Sequence, residues 1–201
     1  MDTDADAGFE LWIRSLDGDS SAFGELFDKH RDRVFRHALR LSGNAHDAED
    51  ATASAFLELW RRRNHVRVVK GSVLPWLLVT TTNVCRNAQR AARRYKSFIA
   101  ALPRDPHVLG AEDEVVRRYP LDSVGVPLIN ALRTLSTTDM QLFALVYLED
   151  YPIADAAIVL GLSTTAAKTR LHRSRVRLRS ALGGPNGLPS LPVTEAKGDP
   201  S

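Results

Sequence analysis

The apolar positions of this chain recur with helical spacing over most of its length. From Phe23 to Leu41 they fall mainly three, four or seven residues apart, which predicts one long helix closed by Gly43. Asn44 is a favourable N-cap for the helix that follows. The predicted buried face of this second helix contains Ala48, Ala51, Thr52, Ala55, Phe56, Leu59 and Trp60.

A third helix is predicted after Ser72, which can cap it, with Pro75 tolerated in its first turn. Its predicted inward stripe consists of Val73, Trp76, Leu77, Thr80, Val84 and Ala88. Residues 99–125 break the pattern with several Pro and Gly and a short acidic run, and we interpret them as a linker. Helices are predicted to resume at Pro127, and Ser136 fits a capping box that opens a helix through Glu149.

The segment 152–183 has the pattern of a helix-turn-helix. Ile153, Ala156, Ala157 and Leu160 form the apolar face of a short first helix, Gly161 supplies the turn, and Ser163 can cap the second helix. Ala167, Leu171, Ser174, Leu178 and Leu182 are predicted to point to the core, whereas Thr165, Lys168, Thr169, His172, Arg173 and Val176 are predicted to face outward. A capped helix with a polar, cationic outer face suits the DNA major groove, although a solvated basic face is the alternative.

These patterns predict an all-α fold with two small helical domains, residues 9–98 and 126–183, joined by a flexible linker, residues 99–125. Residues 184–201 are rich in Pro and Gly and are predicted to be a disordered tail.

The charges are more concentrated than the net charge of +3 indicates. Residues 61–98 contain ten Lys or Arg and no acid, and residues 166–183 contain six Lys or Arg and no acid. The rest of the chain is acidic. Two acid-free basic blocks predict two contacts with a polyanion.

Other features exclude several classes of protein. No apolar run is long enough to cross a bilayer, the acidic N-terminus does not resemble a signal peptide, and the lone Cys85 cannot form an internal disulfide, so we expect a cytosolic protein without membrane insertion. The sequence has no His/Cys cluster with metal-ligand spacing, no paired carboxylates, no nucleophile elbow and no phosphate loop. We therefore expect no metal, no cofactor and no enzymatic activity.

Three stretches of the chain resemble the extracytoplasmic-function (ECF) group of sigma-70-type transcription initiation factors. They are Asp47 to Trp60, similar to the helix that binds the polymerase β′ clamp; Gly71 to Tyr95, similar to the helix that melts and reads the −10 element; and Ser163 to Leu182, similar to the −35 reader. The resemblance implies a promoter-specificity factor whose partners are core RNA polymerase, through the β′ clamp and β flap, and promoter DNA. An anti-sigma factor is a further candidate partner.

The resemblance, together with the charge pattern, gives three sets of candidate residues. The −35 set is Ser163, Thr165, Lys168, Thr169, His172 and Arg173. The −10 set is Arg67, Lys70, Asn83, Arg86 and Arg90, in which Asn83 matches the family position that contacts a flipped base. The polymerase set is Asp47, Glu49, Asp50, Phe56, Leu57 and Trp60.

Some of these residues also have simpler interpretations. The three acids of the polymerase set can act as partners of a helix dipole. Val66, Val68 and Val69, in the loop that carries Arg67 and Lys70, can simply pack. The chain also departs from the family, because Ala53 and Ser54 replace the frequent Gln-Glu pair beside the acidic cluster.

Two other functions compete with the sigma-factor interpretation. A conventional helix-turn-helix regulator would bind duplex DNA without polymerase, but it leaves the basic helix at 72–96 unexplained. A protein-interaction module that mimics a sigma factor would not need the intact cationic faces.

Overall fold

The computed structural model describes residues 3–101 and 131–181, and the regular elements in these ranges are helices apart from one isolated bridge between Val69 and Ser72. The helices are α1 (Thr3–Leu16), α2 (Ser20–Ser42), α3 (Ala45–Arg61), a short 3₁₀ turn (Arg63–His65), α4 (Leu74–Ala101), α5 (Thr137–Phe143) with a π-helical turn (Ala144–Leu148), α6 (Ile153–Leu160) and α7 (Thr164–Ala181). The predicted all-α class is confirmed. Helix α1 was not predicted by the patterns described above.

Local side-chain chemistry sets the ends of the first helices. Asp19 caps α2, because its carboxylate accepts from the backbone N–H groups of the first turn at 2.9 and 3.0 Å. Gly43, with φ 81°, ends α2 in the left-handed conformation that Gly adopts without penalty. Asn44 caps α3 by accepting from the N–H of Asp47 at 2.8 Å. The predicted boundary between these two helices is therefore confirmed.

The described residues form an N-terminal half, residues 3–101, and a C-terminal half, residues 131–181. The core of the N-terminal half lies between α2, α3 and α4. Leu26, Leu59 and Leu77 are completely buried there, and each buried leucine side chain stabilises the fold by about 2 kcal/mol. The rings of Phe27 and Phe56 meet edge-on with centroids 4.7 Å apart. Trp76 is half-buried against the same core.

The inward face of α4 differs from the predicted stripe. Ala88 is exposed and Thr80 is only half-buried, whereas Thr81, Thr82 and Cys85 are buried. The hydroxyls of both buried threonines donate to backbone carbonyls one turn earlier at 2.8 Å, so their burial leaves no hydroxyl unsatisfied. The prediction was wrong because α4 packs against α2 and α3 on one side and against the C-terminal half on the other, which widens its buried arc.

Cys85 lies in a small cluster with the alanines Ala38, Ala48 and Ala51. Burial, helped by the charge of Asp47, raises the pKa of this thiol to about 11.

The helix-turn-helix is present as predicted. Gly161, with φ 67°, ends α6, and Ser163 caps α7 by accepting from the N–H of Ala166 at 3.1 Å. Upstream, Ser136 caps α5 by accepting from the N–H of Asp139 at 3.1 Å. The helix predicted through Glu149 runs as α5 and its π-helical turn, and it ends where Asp150 adopts φ 56°.

The two halves of the chain pack against each other. Leu77 and Leu78 of α4 belong to the same buried apolar cluster as Leu142, Leu145 and Ala156. The proposed domain boundaries remain predictions. Helix α4 extends to Ala101, into the predicted linker, and the rest of that linker, the helix start at Pro127, the inward Leu182 and the tail at 184–201 lie outside the described residues.

Candidate nucleic-acid interface

The outer face of α7 carries the candidate −35 residues. Ser163, Thr165, Lys168, Thr169, His172 and Arg173 are all exposed, and Ala167, Leu171, Ser174 and Leu178 are buried on the opposite side. The hydroxyl of Thr169 donates to the carbonyl of Thr165 at 3.0 Å, which fixes its orientation on the helix. The arrangement leaves a polar, cationic and acid-free surface of the kind that enters a major groove.

Arg170, beside this surface, turns towards the protein instead. Its guanidinium donates to Oδ1 of Asp139 at 2.9 Å, joining α7 to α5. Burial opposes ionisation of Asp139, but hydrogen bonds from Ser136 and Arg170 outweigh it, and the pKa of Asp139 is lowered. The ion pair therefore holds α7 against α5.

The loop at 64–72 brings Arg67 and Lys70 to the surface. Its tight turn places Lys70 at φ 49° and Gly71 at φ 71°. Val69 is buried and Val66 and Val68 pack partly against the core, so the packing interpretation of these valines is confirmed. Lys70 Nζ lies 2.7 Å from Oδ2 of Asp155 in α6. Arg67 lies against Gly161, where the guanidinium fills the space that a Cβ would need.

Helix α4 carries the other −10 candidates. Oδ1 of Asn83 accepts a hydrogen bond from Nε2 of Gln141 at 2.7 Å. Arg86 donates to the backbone carbonyls of Leu135 and Ser136. Burial, followed by the charges of neighbouring arginines, lowers the pKa of Arg86. Arg90, one turn further along α4, is exposed.

The polymerase candidates lie on α3. Asp47, Glu49 and Asp50 are exposed at its N-terminal end. The side chain of Asp47 accepts from Nδ2 of the capping Asn44 at 2.6 Å, and His46 lies 3.8 Å from Asp50. The dipole interpretation of these acids is consistent with this placement and leaves their outer surfaces accessible.

An open apolar groove lies further along α3. Its lining consists of Ser20, Phe23, Phe56, Leu57 and Trp60. Leu57 is 49% exposed on its wall, whereas Phe56 is 3% exposed and forms the floor. Neither Ser20 nor Phe23 was predicted to belong to a functional site, because Phe23 was assigned to the apolar face of the helix and Ser20 precedes the predicted helix. In the structure, Phe23 lies opposite Trp60, and their ring centroids are 5.1 Å apart.

The chain matches two family models. Sigma-70 region 2 covers residues 26–95, and sigma-70 region 4 covers residues 126–178. The ECF RNA polymerase sigma factor SigM of Mycobacterium tuberculosis is 30% identical over an alignment that covers 87% of this chain and 84% of that relative.

The chain belongs to the ECF sigma factors of the sigma-70 family.

A second relative has higher identity over a smaller share of its own length. ECF RNA polymerase sigma factor SigE of Mycolicibacterium smegmatis is 34% identical, with 82% of this chain aligned, and this chain spans 64% of that relative. Among solved structures, CnrH in complex with the cytosolic domain of CnrY matches with a TM-score of 0.54 and 22% identity, covering 88% of this chain and 97% of that one. This structural likeness shows a common fold.

The comparisons confirm the sigma-factor interpretation and do not favour the conventional regulator. Within residues 3–101 and 131–181, this sigma factor has no cluster of side chains suited to a metal ion. None of the helices in the same ranges is long and apolar enough to cross a membrane.

One charged cluster in this sigma factor was not predicted. Glu149 is 6% exposed and faces three basic side chains of α2. Nε of Arg33 donates to its Oε2 at 3.1 Å, Nδ1 of His37 lies 2.8 Å from its Oε1, and Arg40 also pairs with Oε1. We call these four residues the Glu149 clamp. The position of Glu149, an acid at the end of an apolar helix, indicates in the sequence that it needs a partner. The sequence does not show which partner, because the three basic residues lie more than a hundred positions earlier in the chain.

Proposed function

We propose that this sigma factor directs core RNA polymerase to its promoters through three separate surfaces. The groove and acidic end of α3 bind the β′ clamp, the loop at 64–72 together with α4 holds the melted −10 strand, and α7 reads the −35 element. The observation that carries this proposal is the exposed, acid-free outer face of α7, capped at its N-terminus by Ser163 and occurring in the same chain as a second basic helix.

The −35 contact rests on the chemistry of the α7 surface. Arg and Lys bind guanine edges in the major groove, and Thr can contact a thymine methyl or a phosphate. Lys168, Thr169 and Arg173 are exposed there without an acid on the same face. The N-terminal end of α7 also offers backbone N–H groups to a phosphate.

The −10 contact rests on α4. An amide can donate to and accept from a base edge, so Asn83 suits an unstacked base, and Arg86 and Arg90 provide cations along the same helix for the strand backbone. Lys70 and Arg67 extend this basic surface onto the preceding loop.

The polymerase contact rests on the apolar groove. Leu57 and the partly buried Trp60 offer an apolar surface beside Arg63, whose guanidinium lies 4.5 Å from the Trp60 ring centroid. Because Ala53 and Ser54 provide little polarity here, we assign more of the binding energy to the groove and less to polar contacts.

This mechanism requires no covalent chemistry from the chain, because the polymerase forms the phosphodiester bonds. It operates where the chromosome is, in the cytosol. CnrH was solved with the cytosolic domain of CnrY, and we propose that an inhibitory protein partner also binds this sigma factor.

Run-off transcription on a promoter library tests the proposal. Core polymerase with the chain is expected to produce transcripts that share a −35 and −10 pair, and core polymerase alone is not. If the chain shifts duplex DNA by itself yet supports no transcript, the conventional regulator becomes the better account.

A further inference from the structure

The last three turns of α4 are exposed along their described length. Gln89 is partly buried, and its Nε2 donates to the carbonyl of Leu41 in α2 at 2.8 Å. From Arg90 to Ala100 every residue is exposed. The match to sigma-70 region 2 ends at residue 95, so the end of this segment lies outside the family model.

One side of the exposed segment is apolar. Tyr95 is 66% exposed, Phe98 is 62% exposed and Ile99 is 45% exposed, and their side chains share a face because they lie three and four residues apart. Exposed alanines in the preceding two turns continue this face: Ala88, Ala91 and Ala92. Large apolar side chains that are exposed side by side indicate a binding surface, whereas singly exposed ones do not.

Cations border the apolar face on both sides. Arg94 lies one turn before Phe98, and Lys96 lies three residues before Ile99 on the opposite border. Residues 61–101 contain no acid. The partner of this face must therefore offer negative charge together with flat apolar groups, and single-stranded nucleic acid offers both, as phosphates and as bases.

The two rings also lie on the same rows of side chains as the proposed −10 residues. Side chains four positions apart form continuous rows on a helix. One row starts at Asn83 and reaches Tyr95 after three turns, and the neighbouring row starts at Arg86 and reaches Phe98. The two positions between Arg86 and Phe98 in this row are both arginines. Because such rows are inclined to the helix axis by about 26°, a strand that follows them passes from the basic side of α4 to its apolar side.

The spacing suits a short stretch of an unpaired strand. At 1.5 Å per residue, Tyr95 lies about 18 Å from Asn83 along the helix axis, which about five nucleotides span at the spacing of B-form DNA. A base held at Asn83 and bases stacked on the rings can therefore belong to one strand.

We propose that Tyr95 and Phe98 form a second single-strand site, in which their rings stack on unpaired bases beyond the one that Asn83 holds. The inference rests on the proposed −10 role of α4 and extends it to the end of the helix. Every base has a π face, so the rings add affinity without reading sequence. Arg94 and Lys96 hold the phosphates on either side of the stacked bases.

The single-strand affinity of the full-length chain tests the proposal, because both rings are exposed in the free protein. The test variant is Tyr95→Leu with Phe98→Leu, which keeps apolar side chains and every charge but removes both π faces. The matched control is Tyr95→Phe with Phe98→Tyr, which exchanges the two rings. The probe is a fluorescein-labelled pool of single-stranded DNA of random sequence, followed by anisotropy. Leucine favours helix, so circular dichroism should show that the fold is unchanged.

The leucine variant is expected to bind the pool at least about tenfold more weakly than the wild type, and the control is expected to bind within about twofold of it. Because no charge changes, the logarithm of affinity should fall with the logarithm of salt concentration at the same slope for all three proteins. Affinity for a duplex pool should not change, since paired bases are not open to stacking. Equal single-strand affinity of the leucine variant and the wild type would overturn the proposal, and so would an equal loss on both pools.

A basic helix with an apolar face can also bind an anionic membrane surface. Vesicles of phosphatidylglycerol and phosphatidylcholine separate the two ligands, because leucine inserts into lipid but does not stack on a base. The wild type is expected not to bind the vesicles. If it binds them, and the leucine variant keeps full single-strand affinity, the apolar face is a membrane contact and the proposal is wrong.

Run-off transcription by the wild type reports separately on the sigma activity. Transcription together with equal strand affinities would overturn this inference alone. Absence of transcription would count against the proposed function whatever the strand affinities are.

Discussion

Nδ1 of His37 lies 2.8 Å from Oε1 of Glu149. The contact joins α2 to the segment that precedes α6, and the imidazole of His37 is fully buried. Burial, followed by the charge of Arg40, lowers the pKa of His37 to about 3. The imidazole is therefore neutral at neutral pH. Because a carboxylate only accepts hydrogen bonds, Nδ1 of His37 carries the proton and donates a hydrogen bond to Oε1 of Glu149.

This pKa predicts a loss of stability in acid. The unfolded chain takes up a proton near the ordinary pKa of 6.5, whereas the folded chain does not until about 3. The neutral state of His37 contributes at most about 5 kcal/mol to the free energy of unfolding. This contribution is complete above pH 6.5 and is lost as the pH falls towards 3. Urea unfolding of wild type and His37→Gln across this range measures it. The variant should show a shallower dependence on pH, and identical slopes would contradict the assignment.

We expect Arg173→Ala to weaken −35-dependent promoter binding by about 1–3 kcal/mol, since it removes one base contact from the exposed face of α7. Arg179→Ala, in the last turn of the same helix, is the matched control. Transcription is compared on matched and mutated −35 elements. If the Arg173 variant discriminates between them as well as the wild type does, Arg173 is not a −35 reader.

We expect Asn83→Ala to slow promoter opening about tenfold while duplex binding changes little, because the amide is needed only after the base has left the stack. Asn87 lies one turn further along α4 and is exposed, so Asn87→Ala controls for the loss of an amide from this helix. Permanganate reactivity of unpaired thymines follows the opening. An unchanged footprint in the Asn83 variant would contradict the prediction.

We expect Leu57→Ala to lower the affinity for core polymerase about tenfold, because Leu57 is an exposed apolar anchor on the wall of the α3 groove. Ile99→Ala removes a comparably exposed side chain, 45% against 49%, from the far end of α4. Fluorescence titration with core polymerase compares the two. Equal affinities would place the polymerase contact elsewhere.

Two glycine substitutions should have opposite effects on the free energy of unfolding. Gly24 lies inside α2 with no atom within 4 Å of the position that an added Cβ would take, so Gly24→Ala should stabilise by about 0.5–1 kcal/mol. Gly161→Ala should destabilise by about 1 kcal/mol or more, because its φ is +67° and Arg67 occupies the space. Thermal unfolding of both variants measures the difference, and the same sign for both would contradict it.

The helix ends were predictable because the residues that set them act locally. Gly43, Asn44, Ser136 and Gly161 each work through the backbone within one turn, and each was identified from its type and spacing. The outward face of α7 was predictable for the same reason, since a helical period fixes which side chains share a face.

The packing of the two halves was not predictable in this way. The pairing of Asn83 with Gln141 and the clamp on Glu149 join residues separated by 58 and by more than a hundred positions. The wider buried arc of α4, which includes Thr81 and Thr82, has the same cause, because a stripe read from one helix does not reveal a second partner on its other side.

The burial of Cys85 has a practical consequence for labelling the chain. A thiol whose pKa is raised to about 11 stays protonated at neutral pH and reacts slowly with maleimides. Because it is the chain's single cysteine, dyes can be attached to new cysteines on either half without first removing the native one. The distance between the two halves can therefore be measured by energy transfer between two introduced labels.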